Sequence, residues 1–155
     1  MNDHSAVEHP CPERRRWMAI LARAPAERLE ALLDSAGERP AYTVLRAPEG
    51  GLVMVRGRIG GGGAAFNLEE MTVTRCAVCI ESGLIGHAYV AGREPQRAEL
   101  AALVDALMQD PARTAMLEAR VIAPLEQEQA ARQAGRAGKA AATRVQFFAL
   151  QTMRT

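Results

Sequence analysis

The residues best suited to chemistry lie in the middle of the chain. Gly60, Gly61, Gly62 and Gly63 follow an apolar, alternating stretch, and consecutive glycines let backbone N–H groups come close to an anion. Gly60, Gly62 and Ala65 fit the loose spacing of a dinucleotide fingerprint. That fingerprint needs a helix next, whereas Phe66-Asn67-Leu68-Glu69-Glu70 leads into another extended stretch. No Gly-Lys-Ser/Thr follows, so there is no P-loop. An isolated glycine run also reads as a bend, or as a place where another backbone packs close. Arg46, Arg56, Arg58, Arg75 and His87 could converge on one sheet face and hold a phosphate or carboxylate, as guanidinium forks favour. Their plainer alternative is pairing with Glu69, Glu70 or the acidic residues of a covering chain. His87 alone is more often a hydrogen-bonded structural histidine than a general base.

Cys76 and Cys79 form a C-x-x-C, which invites a zinc or thiol-redox reading. On a strand, three residues rise about 10 Å and put the two side chains on opposite faces, while a disulfide needs Cα atoms within about 7 Å. No second C-x-x-C completes a zinc site. His4, His9 and Cys11 could chelate a metal, but a polar leader would lose much entropy in ordering around it. We therefore expect no metal site. No nucleophile, base and orienting group can be assembled from these motifs, so no catalytic residue is expected.

These residues need elements to position them. Residues 1–12 read as a disordered leader. Trp17, Ile20, Leu21 and Ala24 share a helix face that stops at Pro25. Pro25 opens a second helix with Leu29, Leu32 and Leu33 as its buried stripe and Gly37 as its end. Arg14, Arg15 and Arg16, before Trp17, read as the solvated first turn of the first helix and not as a ligand site. From Ala41 the period becomes alternating, and four strands are expected: Ala41 to Ala47, Leu52 to Ile59, Met71 to Ile80 and Leu84 to Ala91. Pro48-Glu49-Gly50-Gly51 and Glu81-Ser82-Gly83 are read as hairpin connections. One expected face is apolar or small (Thr43, Leu45, Ala47, Val53, Val55, then Thr72 to Ile80 and Leu84 to Val90 by twos). The other mixes Val44, Leu52, Met54, Met71, Val73 and Tyr89 with the arginines and His87, so something should cover it at least partly.

After Gly92, Leu100, Leu103, Val104, Leu107 and Met108 make a strong helical stripe with Pro95 in its first turn. Pro111 breaks it, a short helix runs toward Glu118, and Pro124 interrupts again before a long polar helix to about Ala142. That helix is either solvated or an arm that packs on another chain, and Val145 to Leu150 reads as a final strand or hydrophobic anchor. The fold class is α+β: an antiparallel four-stranded meander flanked by an N-terminal helical hairpin and C-terminal helices, with an extra C-terminal strand allowed. One domain spans 13–150, including the arm 124–150, and 151–155 form a tail.

Length and charge narrow the function. The 155 residues suffice for one domain with its own core, and 48% hydrophobic with 24% charged residues excludes general disorder. A net charge of +1 and 4% aromatic residues lack the basic surplus and stacking rings of most nucleic-acid binders. Residues 124–155 carry a local +3 from five basic and two acidic residues. There is no membrane-spanning run or secretory signal, and the 3 cysteines are an odd number, which suits a reducing compartment. A cytoplasmic location is expected.

The block Pro48-Glu49-Gly50-Gly51-Leu52-Val53-Met54-Val55-Arg56-Gly57-Arg58-Ile59, the four glycines, Phe66-Asn67-Leu68 and Met71-Thr72-Val73-Thr74-Arg75-Cys76-Ala77-Val78 closely resembles the PhnG family, the G subunit of the bacterial carbon-phosphorus lyase system. Trp17-Met18 with Leu21-Ala22-Arg23-Ala24, Gly86-His87-Ala88-Tyr89-Val90 with Gly92-Arg93, Ala98-Glu99 through Asp105-Ala106-Leu107, and Val121-Ile122-Ala123-Pro124-Leu125 follow in the same order. The resemblance covers about residues 13–150. Cys79 stands where the family has a basic residue and Ala65 where it often has proline, so neither is given a role.

The resemblance implies a non-catalytic but required subunit of an assembly with the H, I and J subunits, closest to I, in two copies. The G, H and I subunits, helped by the ATP-binding-cassette-like L subunit, would make α-D-ribose 1-alkylphosphonate 5-triphosphate from ATP and an alkylphosphonate, releasing adenine. The J subunit, with an iron-sulfur cluster and S-adenosylmethionine, would later cleave the carbon-phosphorus bond. No cofactor is implied for this chain. The competing reading from the residues is a small phosphate-binding transferase or hydrolase using Gly60 to Gly63 and the strand arginines. A nucleic-acid adaptor, carried only by the basic tail, is a third.

Overall fold

The computed structural model describes residues 11–57 and 64–142. Helices α1 (Pro12–Leu21) and α2 (Ala26–Ala36) form the expected hairpin. Pro12 opens α1 within its first turn, where a missing N–H costs nothing, and Pro25 caps the start of α2. Strands β1 (Tyr42–Gly57), β2 (Phe66–Ile80) and β3 (Ile85–Ala91) then form an antiparallel meander in the order β1-β2-β3. Glu81-Ser82-Gly83 makes the β2–β3 connection as expected, with Gly83 at φ 84°, a conformation that only glycine adopts freely.

All the stretches expected as strands are extended where described, and the α+β architecture stands. The connection between the first two differs. Pro48-Glu49-Gly50-Gly51 is not a hairpin turn but part of one 16-residue strand. β1 lies at the sheet edge, and its register against β2 shifts between Val44 and Arg46 and again between Arg46 and Glu49. A proline can sit in such an irregular edge stretch without breaking a ladder bond, so the punctuation marks a bulge instead of a reversal.

The expected sorting of β1 is also corrected. Val44 pairs with Val78 and Leu52 with Thr72, whereas Thr43 pairs with Cys79 and Val53 with Met71. Paired residues share a face, so Tyr42, Val44, Leu52 and Met54 lie on the side of Thr72 to Ile80, and Thr43, Val53 and Val55 on the other. Both residue sets of β1 are apolar, which leaves its phase unreadable from hydrophobicity.

Helix α3 (Pro95–Met108) lies across β2 and β3 and contributes the most deeply buried surface. Its Ala98, Ala101, Ala102 and Ala106 are buried against Cys76, Val78, Ala88 and Val90. The approach is closest at Gly86. A Cβ built there would stand 1.9 Å from the Ala102 carbonyl oxygen and 2.5 Å from the Ala106 nitrogen, so only glycine fits. Asp110 caps the next helix, α4 (Pro111–Leu117), by accepting from the Ala112 N–H at 3.0 Å.

Pro124 does not interrupt as expected. A π-helical turn over Glu118–Ile122 joins α4 to α5 (Ala123–Ala142), and the Ala123 N–H donates to the Glu118 carbonyl. The widened turn absorbs the hydrogen bond that Pro124 cannot make. Leu117, Val121, Ile122 and Leu125 are fully buried around it, each contributing on the order of 1.5–3 kcal/mol. Beyond Gln129, α5 is exposed through Lys139, which matches the missing apolar stripe. The expected strand at 145–150 lies outside the described residues.

Candidate functional site

The face of the sheet turned away from α3 carries the candidate residues. Arg46 pairs with Ala77, and Ala77 with His87; one step along, Glu49 pairs with Arg75, and Arg75 with Tyr89. Two adjacent cross-strand rows thus hold Arg46 and His87, then Glu49, Arg75 and Tyr89. The bulge after Val44 brings Arg46 to this face, since Val44, two residues earlier, lies on the other. Arg75 Nε donates to Glu49 Oε1 at 2.7 Å, and Arg46 Nε stands 3.6 Å from the same oxygen. The Glu49 bond raises the Arg75 pKa above its ordinary value, with the Tyr89 hydroxyl a smaller contributor. Glu49, not Glu69 or Glu70, is therefore the partner of these arginines.

Arg56 is not part of this cluster. It pairs with Asn67, eight residues along β2 from Arg75, or roughly 26 Å at the usual rise per residue, and its Nη2 donates to the Ala65 carbonyl at 3.2 Å. No single small ligand reaches both places. Arg58 and Gly60, Gly61, Gly62 and Gly63 lie outside the described residues, as do His4 and His9. His87 exposes its imidazole on the open face.

The cysteines behave as strand geometry predicts. Cys76 is buried on the helix side, its thiol donating to the Arg46 carbonyl at 3.3 Å, and burial pushes its pKa up to about 11. Cys79 pairs with Ile85 on the other face. Cys11, Cys76 and Cys79 are all free thiols. Among the described residues no three His, Cys, Asp or Glu side chains could hold a metal ion, and no helix is long and apolar enough to cross a membrane.

One feature escapes the sequence reading: Asp105, fully buried in α3. It accepts from Arg14 Nε at 3.2 Å and Nη2 at 2.8 Å, from Trp17 Nε1 at 2.8 Å and from the His87 backbone N–H at 2.9 Å. Arg14 is thus not a solvated residue, and Arg16 likewise pairs with Glu118 and Glu126. The available signal was a lone carboxylate inside the apolar run Leu103 to Met108, since a buried charge must be paired. The apolar surface read from Leu52, Met54, Met71 and Tyr89 is open, and Phe66 and Ile85 add to it; all six are 40% or more exposed.

This arrangement offers paired charges beside apolar side chains. It is the chemistry of an interface. The family described as phosphonate metabolism protein PhnG matches residues 12–154. A protein of Rhizobium meliloti (strain 1021), named alpha-D-ribose 1-methylphosphonate 5-triphosphate synthase subunit PhnG, is 44% identical over 141 residues, covering 89% of this chain and 88% of that protein.

Proposed function

We propose, from the premise that this chain belongs to the PhnG family, that it is a non-catalytic but required subunit of a cytoplasmic carbon-phosphorus lyase core complex. In that role it supports formation of α-D-ribose 1-alkylphosphonate 5-triphosphate from ATP and an alkylphosphonate, with release of adenine, in phosphonate catabolism. Its partners are the I, H and J subunits, with I the nearest and L linked functionally, in an assembly with two copies of this chain. The chain itself binds no cofactor. ATP is a substrate of the complex, and the iron-sulfur cluster and S-adenosylmethionine belong to the J subunit.

One observation carries this reading. Among the described residues the sheet is covered by helices on one side only, and its uncovered parts expose large apolar side chains beside the Arg46–Glu49–Arg75 charges. Leaving them in water forgoes about 25 cal/mol for each Å² that a partner would cover. Co-expression with the I, H and J subunits, followed by size and composition analysis and an assay for adenine release, tests it. A stable complex containing this chain, inactive when the chain is omitted, is the expected result. A chain that remains a cooperative monomer and gains no stability from the I subunit overturns it. So does ATP-dependent protection of the Gly60 to Gly63 amides with turnover in the isolated chain, which belongs to the transferase or hydrolase reading.

A further inference from the structure

The two edges of the sheet differ. β1 has three register shifts, which spoil a template for strand addition, whereas β3 pairs with β2 over its whole length without a shift. The Gly92 N–H donates to the Thr72 carbonyl at 2.8 Å, so even-numbered residues of β3 point their backbone groups at β2 and odd-numbered ones point theirs outward. Side chains occupy part of that outer row. The Ile85 carbonyl accepts from Arg14 Nη2 at 3.4 Å and Gln109 Nε2 at 2.8 Å, the His87 N–H is held by Asp105, and the Ala91 carbonyl accepts from Arg97.

Between these caps, the His87 carbonyl, the Tyr89 N–H and carbonyl and the Ala91 N–H have no partner among the described residues. These four groups have the spacing of a parallel ladder. One incoming residue would donate to His87 and accept from Tyr89, and the residue two further on would donate to Tyr89 and accept from Ala91. An antiparallel strand would instead need the His87 N–H and the Ala91 carbonyl, which are taken.

A cavity of about 200 Å³ lies alongside, walled by Met18 and Leu21 of α1, Ala22 just after it and Ala101 of α3, with Ala88 and Val90 on the strand side. The two incoming residues would stand beside Ala88 and Val90, and their side chains would point into this space. The walls are apolar.

We infer that the His87–Ala91 edge takes an extended segment of another subunit as an added parallel strand, with apolar side chains at alternate positions filling the groove between α1 and β3. The backbone row selects an extended polypeptide, the walls select aliphatic side chains, and the subunit reading, on which this inference rests, supplies the second chain.

Amide hydrogen exchange on the full chain, free and assembled with its co-expressed subunits, tests the inference. Assembly is expected to slow exchange at Tyr89 and Ala91 by at least about a hundred-fold, while the His87 amide, already bound to Asp105, changes little. Ala22→Arg, which blocks the groove, is expected to weaken assembly at least about ten-fold; should that variant misfold, exchange in the unaltered chain still decides. A complex that forms with Tyr89 exchanging as in the free chain overturns this inference and leaves the subunit reading standing. Slowing at Tyr89 without Ala91 overturns the parallel register. Slow exchange at both in the chain by itself assigns the edge to the chain's own residues and overturns the inference. Failure to form any complex overturns both readings.

Discussion

The two ends of the β1–β2 ribbon both carry apolar side chains on the side that faces α3 and end in opposite environments. Toward Ile80, the alternate residues Thr74, Cys76, Val78 and Ile80 are buried under α3. Toward Phe66, the same side of the sheet exposes Leu52 by 64% and Met54 by 53%. Hydrophobic alternation thus sets which side of a ribbon is greasy, but the cover decides whether it becomes a core. At one end the cover is supplied by the chain, through a glycine and a run of alanines that let a helix backbone touch a strand backbone. At the other end the described residues supply no cover.

The contrast can be broken most severely at its covered end. Asp105→Ala removes the acceptor of Arg14, Trp17 and the His87 N–H together, and urea denaturation is expected to show a loss of about 3–5 kcal/mol. Gly86→Ala forces α3 away from β3, because its new methyl group meets two backbone atoms; a loss of about 2 kcal/mol is expected in the same measurement.

A smaller effect is expected from alkali. Tyr42 donates to Glu99 at 2.7 Å, which with burial raises its pKa from 10.0 to about 12, and Cys76 rises from 9.0 to about 11. Both groups are favoured in their neutral forms by folding. Their contribution is fully present below the ordinary values and is lost as pH climbs through the raised ones. Stability should therefore decline between about pH 9 and pH 12, and Tyr42→Phe together with Cys76→Ala should flatten that decline.

The uncovered end gives the smallest change in the isolated chain. Leu52→Ser with Met54→Ser should alter its stability by no more than about 0.5 kcal/mol, yet should impair capture of the chain by its co-expressed subunits. A large loss in the isolated chain would mean that the ribbon is covered after all.

The sequence was most legible where one residue type forces one outcome. Pro25, Pro95 and Pro111 all open or precede helices, and Gly83 makes its turn, whereas Pro12, read as part of the leader, opens α1. It was least legible where the deciding partner lies far along the chain. Asp105 meets Arg14 across 91 residues, and nothing local to either shows it. Pro48 looks like a turn residue because local chemistry cannot distinguish a reversal from a bulge on an edge strand. Arg46, Arg75 and His87 were legible as strand residues, but their separation from Arg56 depends on register, which pairing sets.

The caps along β3 have a consequence for the chain's life before assembly. A bare sheet border invites stacking with other copies of itself, the first move toward insoluble fibres. Here Arg14, Gln109, Asp105 and Arg97 fence that border from both sides, leaving a gap only a few residues wide. On that border the opening is too narrow to seed a long run of pairing between copies of the chain.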